Sequence, residues 1–198
     1  MTAKPRSHFY AYISKIRWLQ RWGLKRNVIT ENVMEHSWEV ATISHALAVI
    51  RNRYYEGDID VNAVVVAALY HDCSEVITGD MPSPIKYHSP EITRAYKAIE
   101  TRAEHELLSL LPAELQADFR GVLLAEQMSA EQHLIIKAAD TISAYLKCKS
   151  EVRAGNFEFS KAEEEIKQRL EKIDRPEVRF FLETFAPSYG LTLDELLH

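Results

Sequence analysis

The sequence predicts an all-α fold, one helical domain over residues 1–198, and three observations lead there. Apolar residues recur at helical spacing along most of the chain. Only six glycines are present, and no Asn-Gly or Asp-Gly pair separates alternating strands. Ser, Asn, Asp and Pro stand where the periodic stretches begin, and Gly or Pro where they stop.

The elements follow in order. Phe9, Ile13 and Ile16 make the first stripe, ending near "RWGLKR" at 21–26. Asn32 with Glu35 three residues on resembles a capping box. It opens a helix whose inward stripe is Val33, His36, Val40, Ile43, Leu47 and Ile50. A third helix is expected after Asp60, running through "VNAVVVAALYHDCSEV" to about Ile77, with Gly79 as its C-terminal cap. The valine run alone suits a strand, but a good helix former follows it with no turn between, so length favours helix. "GDMPSPIKYHSP" at 79–90 reads as loop, because Pro82, Pro84 and Pro90 each block regular continuation. Ser89 as cap and Pro90 at the first helical position start a long helix through Ile92, Ile99, Ala103, Leu107 and Leu110. Pro112 ends it, and a shorter helix carries Leu115, Phe119 and Val122. Ser129 caps the next, with Ile136, Ala139, Ser143 and Leu146 on one side. An amphipathic helix with Ile166, Leu170 and Ile173 inward follows. "PEVRFFLETFAPS" and "TLDELL" close the chain, the first as core or as a contact with a second copy.

The bulk numbers narrow the function classes. A net charge of −5 argues against a general nucleic-acid coat or a binder of anionic membranes, both of which need basic surface. Cys73 and Cys148, the only cysteines, suit a reducing compartment. No apolar stretch is long enough to span a bilayer, and "MTAKPRSHFYAYISK" has no uncharged apolar core like that of a signal peptide. A cytoplasmic protein is expected.

Against that ordinary background, "YHDCSEV" at 70–76 stands out, because polar groups directly follow a buried apolar run. A carboxylate buried without a partner costs several kcal/mol or takes up a proton. On a helix His71 and Glu75 share a face, with Asp72 about 100° round. An imidazole and a carboxylate on adjacent residues can both reach one divalent cation. His36 and Asp140 are likewise polar residues within apolar helical stripes. His36, His71, Asp72 and Asp140 together neutralise a divalent ion and leave positions open for water and a substrate oxygen. Asp140 alone could instead pair with Lys137, and His36 alone could be a satisfied core histidine. The ion's identity stays open among cobalt, manganese, iron, zinc and magnesium. His8, His45, His88, His105, His133 and His198 have no partner at ligand spacing.

The pattern "H…HD…D" from three helices resembles the HD-domain phosphohydrolases. "RW" at 21–22, "TENVMEHS" at 30–37, "YHDCSEVITGDMPSPIKY" at 70–87, "KAAD…AYLKC" at 137–148 and the tail "FAPSYGLTLDEL" are similar to the bacterial HD-domain 5′-deoxynucleotidases over almost the whole chain. The resemblance implies a metal-dependent homodimeric enzyme that hydrolyses deoxyribonucleoside 5′-monophosphates to deoxyribonucleoside and phosphate. It implies His36, His71, Asp72 and Asp140 as metal ligands, with His36, Asp72 and Asp140 also bordering the substrate. Arg21 and Trp22 match the positions that orient the phosphate and pack against the sugar. Asp80, Met81, Pro82 and Ser83 match the substrate-contacting loop, and Glu75 the acidic catalytic residue. Glu75 could merely hold an imidazole, Arg21 could be a solvated charge and Trp22 simple core. The competing functions are another HD phosphohydrolase acting on a nucleoside triphosphate or a signalling nucleotide, and a non-catalytic nucleotide-binding module.

Overall fold

The computed structural model describes residues 6–197, so His198 lies outside the described residues. The helices run in order α1 (Phe9–Ile13), α2 (Val33–Tyr54), α3 (Val61–Tyr70), α4 (Glu75–Thr78), α5 (Ser83–Lys86), α6 (Pro90–Ser109), α7 (Ala113–Leu123), α8 (Ala130–Arg153), α9 (Ser160–Glu171), α10 (Pro176–Thr184) and α11 (Leu193–Leu196). The fold is all-α. Among the described residues the nearest thing to a strand is one antiparallel bridge, Gln20 to Asn32.

The two long helices begin where their caps dictate. Asn32 Oδ1 accepts from the Glu35 N–H at 3.0 Å, and Glu35 Oε2 accepts from the Asn32 N–H at 3.1 Å. Ser129 and Gln132 form the same reciprocal pair at the start of α8. Each cap satisfies two backbone donors that the first helical turn leaves free. Helix α2 packs against α3 on one side and α8 on another. Val40, Leu47, Val64, Ile135 and Ile142 are fully buried between them, and Ile166, Leu170, Val178 and Phe181 of α9 and α10 close that core. Each such side chain contributes roughly 1.5–3 kcal/mol by leaving water. A smaller core gathers Phe9, Cys73, Leu107, Leu108, Leu123 and Leu124.

Four expectations need correction. The first helix does not reach "RWGLKR": α1 tightens into a 3-10 segment, Ser14–Trp18, and residues 19–32 then run without regular helix. The helix expected from Asp60 to Ile77 is broken at residues 71–74. Hydrogen bonds there reach back three residues rather than four, from Cys73 N–H to Tyr70 O and from Glu75 N–H to Asp72 O, each 3.0 Å. The 79–90 segment is not all loop, because Ser83–Lys86 forms one turn. Pro84 fits it because a first-turn residue has no intrahelical N–H bond to lose. Finally, Ile99 and Leu115, expected inward, are exposed, while Tyr96 and Leu123 are buried in those helices.

Candidate metal centre

The break after α3 lies between the two cores, since Ala68 belongs to the larger and Cys73 to the smaller. His71 and Asp72 sit in that break. His36 faces them from the first turn of α2, and Asp140 from the middle of α8 beside buried Ala138 and Ala139. His71 Nε2 lies 3.1 Å from Asp72 Oδ2, His36 Nε2 lies 3.5 Å from that same oxygen, and His36 Nε2 lies 3.2 Å from Asp140 Oδ1. The donor atoms of His36, His71 and Asp72 all fall within 4.8 Å of one another, with Asp140 joining at the solvent-facing edge through His36.

Both ring tautomers follow from their outer partners. His71 Nδ1 is 2.8 Å from the Ala68 carbonyl oxygen, which can only accept, so Nδ1 carries the hydrogen. His36 Nδ1 is 3.1 Å from Ser143 Oγ, and Ser143 donates its own hydrogen to Glu39 Oε2 at 2.6 Å. The hydroxyl therefore accepts from the His36 Nδ1–H. In the neutral form of each ring Nε2 carries the lone pair, and both Nε2 atoms are buried without a hydrogen-bond partner among the described residues. Two lone pairs aimed at carboxylate oxygens repel unless a proton or a metal cation sits among them, and a cation serves all four groups at once. A mixed set of two imidazoles and two carboxylates suits a divalent transition ion, so the residues fit the metal that the sequence implied.

Protonation separates the two rings, His36 being held neutral while Asp72 favours the charged form of His71 when no cation is present. Burial lowers the His36 pKa to about 4, so this ring is neutral. Burial also opposes charge on His71, but Asp72 outweighs it and raises that pKa. Asp72 is disfavoured as an anion by burial, yet His71, His36 and Arg21 together hold its pKa well below the usual carboxylate range. Burial, then the charges of Asp72 and Asp80, push Glu75 up to about 10. Burial and Asp72 push the Cys73 thiol up as well, which disfavours a nucleophilic thiolate.

The structure brings most of the expected residues to one place. Arg21 Nη1 is 3.8 Å from Asp72 Oδ2, and Trp22 packs on Phe159 with ring centroids 5.3 Å apart. Asp80 is close enough for its charge to act on Arg21, Asp72 and Glu75. Gly79, at φ +74°, turns the chain into that loop where other residues would be strained. The Tyr96 hydroxyl fixes the Gly79 carbonyl at 3.3 Å. Met81 and Pro82 are half-buried and Ser83 is exposed, and among the described residues none has a side-chain hydrogen bond or ion pair to the cluster. Glu75 holds neither imidazole: both Nδ1 atoms are engaged elsewhere, and Glu75 Oε2 is buried without a partner among the described residues.

Three polar residues at the site escaped the reading of the sequence: Glu31, Glu39 and Ser143. Ser143 carried a usable signal, because it interrupts an apolar stripe just as His36 and Asp140 do. Glu31 and Glu39 carried none, since a glutamate beside a helix start is ordinarily solvated.

The family model described as 5′-deoxynucleotidase YfbR-like matches residues 8–189. A 5′-deoxynucleotidase of Vibrio vulnificus is 50% identical over 96% of this chain and 98% of its own length. One from Photorhabdus temperata is 48% identical over 96% of each. Among solved structures, an HD-domain phosphohydrolase from Listeria innocua superposes with a TM-score of 0.80 at 22% identity, covering 92% of this chain and 88% of that one. The HD phosphohydrolase of cyanophage S-2L, bound to dA and one catalytic zinc ion, superposes with a TM-score of 0.63 at 23% identity, covering 95% of this chain and 99% of that one.

Proposed function

The chain belongs to the YfbR-like 5′-deoxynucleotidase family, and from that premise we propose that it hydrolyses deoxyribonucleoside 5′-monophosphates to deoxyribonucleoside and phosphate with one divalent metal ion. The observation that supports this most directly is the pair of buried, partnerless Nε2 atoms converging with Asp72 and Asp140 beside the Arg21 guanidinium.

His36, His71, Asp72 and Asp140 hold the ion. When bound, it supplies Lewis acidity toward a phosphoryl oxygen and a more acidic attacking water. The remaining work belongs to the chain. Arg21 clamps the phosphate, for which a guanidinium's paired donors are well shaped. Phosphoryl transfer depends mainly on positioning and charge stabilisation, so an arginine beside the ligand carboxylates suits it. Glu75, buried with one oxygen free, exchanges a proton with the water or with the leaving 5′-oxygen. Trp22 walls the sugar, where a 2′-hydroxyl would lose its hydrogen bonds to water at a cost of about 1–3 kcal/mol. Asp80 accepts from the 3′-hydroxyl, and Met81, Pro82 and Ser83 complete the rim. His36, Asp72 and Asp140 border the phosphate as well as holding the ion.

The same reading includes a homodimer in the cytoplasm. Exposed Trp38, Leu69 and Tyr10 around an apolar hollow support the dimer, and light scattering on the eluting protein tests it. No helix among the described residues is long and apolar enough to cross a membrane.

The deciding experiment strips the purified protein, reloads it with each divalent ion and measures phosphate released from dAMP, AMP, dATP and 3′-dAMP. Release from dAMP alone is expected. Release of pyrophosphate or triphosphate from dATP would favour a triphosphohydrolase, and binding of dAMP without release a non-catalytic module.

A further inference from the structure

Glu31 has no task in the reading above, yet its carboxylate faces both residues assigned to the nucleotide. Its Oε2 accepts from the Trp22 indole Nε1–H at 3.0 Å and lies 3.5 Å from Arg21 Nε. The Arg21 and Glu31 side chains are equally secluded, each 13% exposed. The backbone reinforces the pairing: the Arg21 N–H donates to the Glu31 carbonyl at 2.9 Å, and the Val33 N–H to the Leu19 carbonyl at 3.0 Å. The bridge between Gln20 and Asn32 lies between those two bonds.

Two features show that this arrangement is imposed rather than relaxed. Trp22 sits at φ +58°, a left-handed conformation that costs a bulky residue energy unless its surroundings hold it there. Arg21, meanwhile, has a competing anion. Asp72 Oδ2 is 3.8 Å from Nη1, so a guanidinium released by Glu31 settles on a metal-ligand carboxylate instead of facing an incoming phosphate.

We propose that Glu31 is a positioning residue: one carboxylate holds the Arg21 guanidinium and the Trp22 indole in the arrangement that receives the nucleotide. This rests on the nucleotidase reading and adds to it a division of labour. The negative charge of Glu31 serves phosphate binding through Arg21. Its capacity to accept a hydrogen bond serves sugar discrimination through Trp22.

Two variants separate those tasks. Glu31→Gln keeps an oxygen for the indole but loses the charge. Glu31→Ala loses both. The measurements are KM and kcat for dAMP and AMP, divalent-ion affinity by chelator competition, and thermal melting to check the fold. For Glu31→Gln, KM for dAMP is expected to rise about tenfold with kcat nearly unchanged and the preference for dAMP over AMP kept, as for the loss of one charge-assisted contact. For Glu31→Ala, the preference is expected to fall about tenfold as well. Should Glu31→Ala fail to fold, the near-isosteric Glu31→Gln still decides through its KM. An unchanged or lower KM in either variant overturns the proposal. So does a loss of metal affinity that accounts for the kinetic change, because Glu31 would then act through His36, whose Nδ1 is 3.9 Å from Oε1. A wild-type chain that neither binds nor hydrolyses dAMP defeats the nucleotidase reading and the proposal with it. Wild-type turnover beside unaltered variants defeats the proposal alone.

Discussion

Two carboxylate-centred clusters in this chain draw on different side chains and are finished in opposite ways. Glu151, fully buried, accepts from the Val28 N–H at 2.9 Å, the Ile29 N–H at 3.1 Å and Asn156 Nδ2 at 2.8 Å, and pairs with Lys147. Lys147 spends a second donor on the Ile29 carbonyl, and Asn156 also donates to the Arg26 carbonyl at 2.7 Å. The carboxylate at that centre is paired on both oxygens. Around Asp72, by contrast, two buried imidazole nitrogens face carboxylate oxygens without a hydrogen bond, and Glu75 keeps a buried oxygen unpaired among the described residues. A closed cluster, its carboxylate paired on both oxygens, recovers most of its desolvation cost internally and acts as structure, even with Asn156 Oδ1 left buried and unpaired among the described residues. An open one recovers it only from something added, which in the function proposed above is a cation and a phosphate. The two are linked in sequence, since Glu151 anchors the loop that follows Arg21 and Trp22.

Disturbing the open cluster should leave a folded protein without chemistry. Asp72→Ala is expected to reduce phosphate release to background and abolish tight metal binding while the chain still melts cooperatively; measurable metal-dependent turnover would contradict that. Glu75→Ala is expected to lower kcat by about 10²–10⁴ with metal affinity and KM nearly unchanged. Near-normal kcat would remove Glu75 from the catalytic role.

Disturbing the closed cluster should do the reverse. Glu151→Gln strands the buried Lys147 charge and is expected to destabilise the fold by about 3 kcal/mol in urea melts near neutral pH. Its pH dependence has a definite sign. Burial alone would raise the Glu151 pKa, but Lys147, the Val28 and Ile29 amides and Asn156 hold it down to about 2. A depressed carboxyl contributes stability above its unfolded value, about 4.3, and loses it as pH falls toward the folded value. The wild-type advantage over Glu151→Gln should therefore shrink between those limits, and a gap that stays constant there would contradict the assignment.

The smallest effect sharpens the boundary between the two kinds of cluster. Ser143→Ala removes the acceptor for the His36 Nδ1–H and is expected to weaken metal affinity about tenfold. Unaltered affinity by chelator competition would show that the ring keeps its orientation by packing alone.

Much of this could be read before any coordinates. The caps at Asn32 and Ser129, Pro90 at a first helical turn and Gly79 at a helix end are local chemistry, and each appears where expected. His36, His71, Asp72 and Asp140 stood out because a polar side chain on an apolar stripe needs a partner, and the structure brings the four together. Harder to read were features that depend on neighbours distant in sequence. Ile99 and Leu115 follow a helical period but face away from the packed side. Ser143 and Glu39 matter only because α8 meets α2, and Glu31 only because the segment before α2 folds back against residues 19–22.

The sequence by itself determined where helices start and stop, which faces are apolar, and which ionisable groups would be stranded in the interior. Those properties follow from capping chemistry, the helical period and the cost of desolvating charge, all of which act within one element. Only the tertiary structure decided which stranded groups meet, which nitrogen of each imidazole faces inward, and which carboxylate stays unpaired. Such choices depend on angstrom-scale distances between helices far apart in the chain.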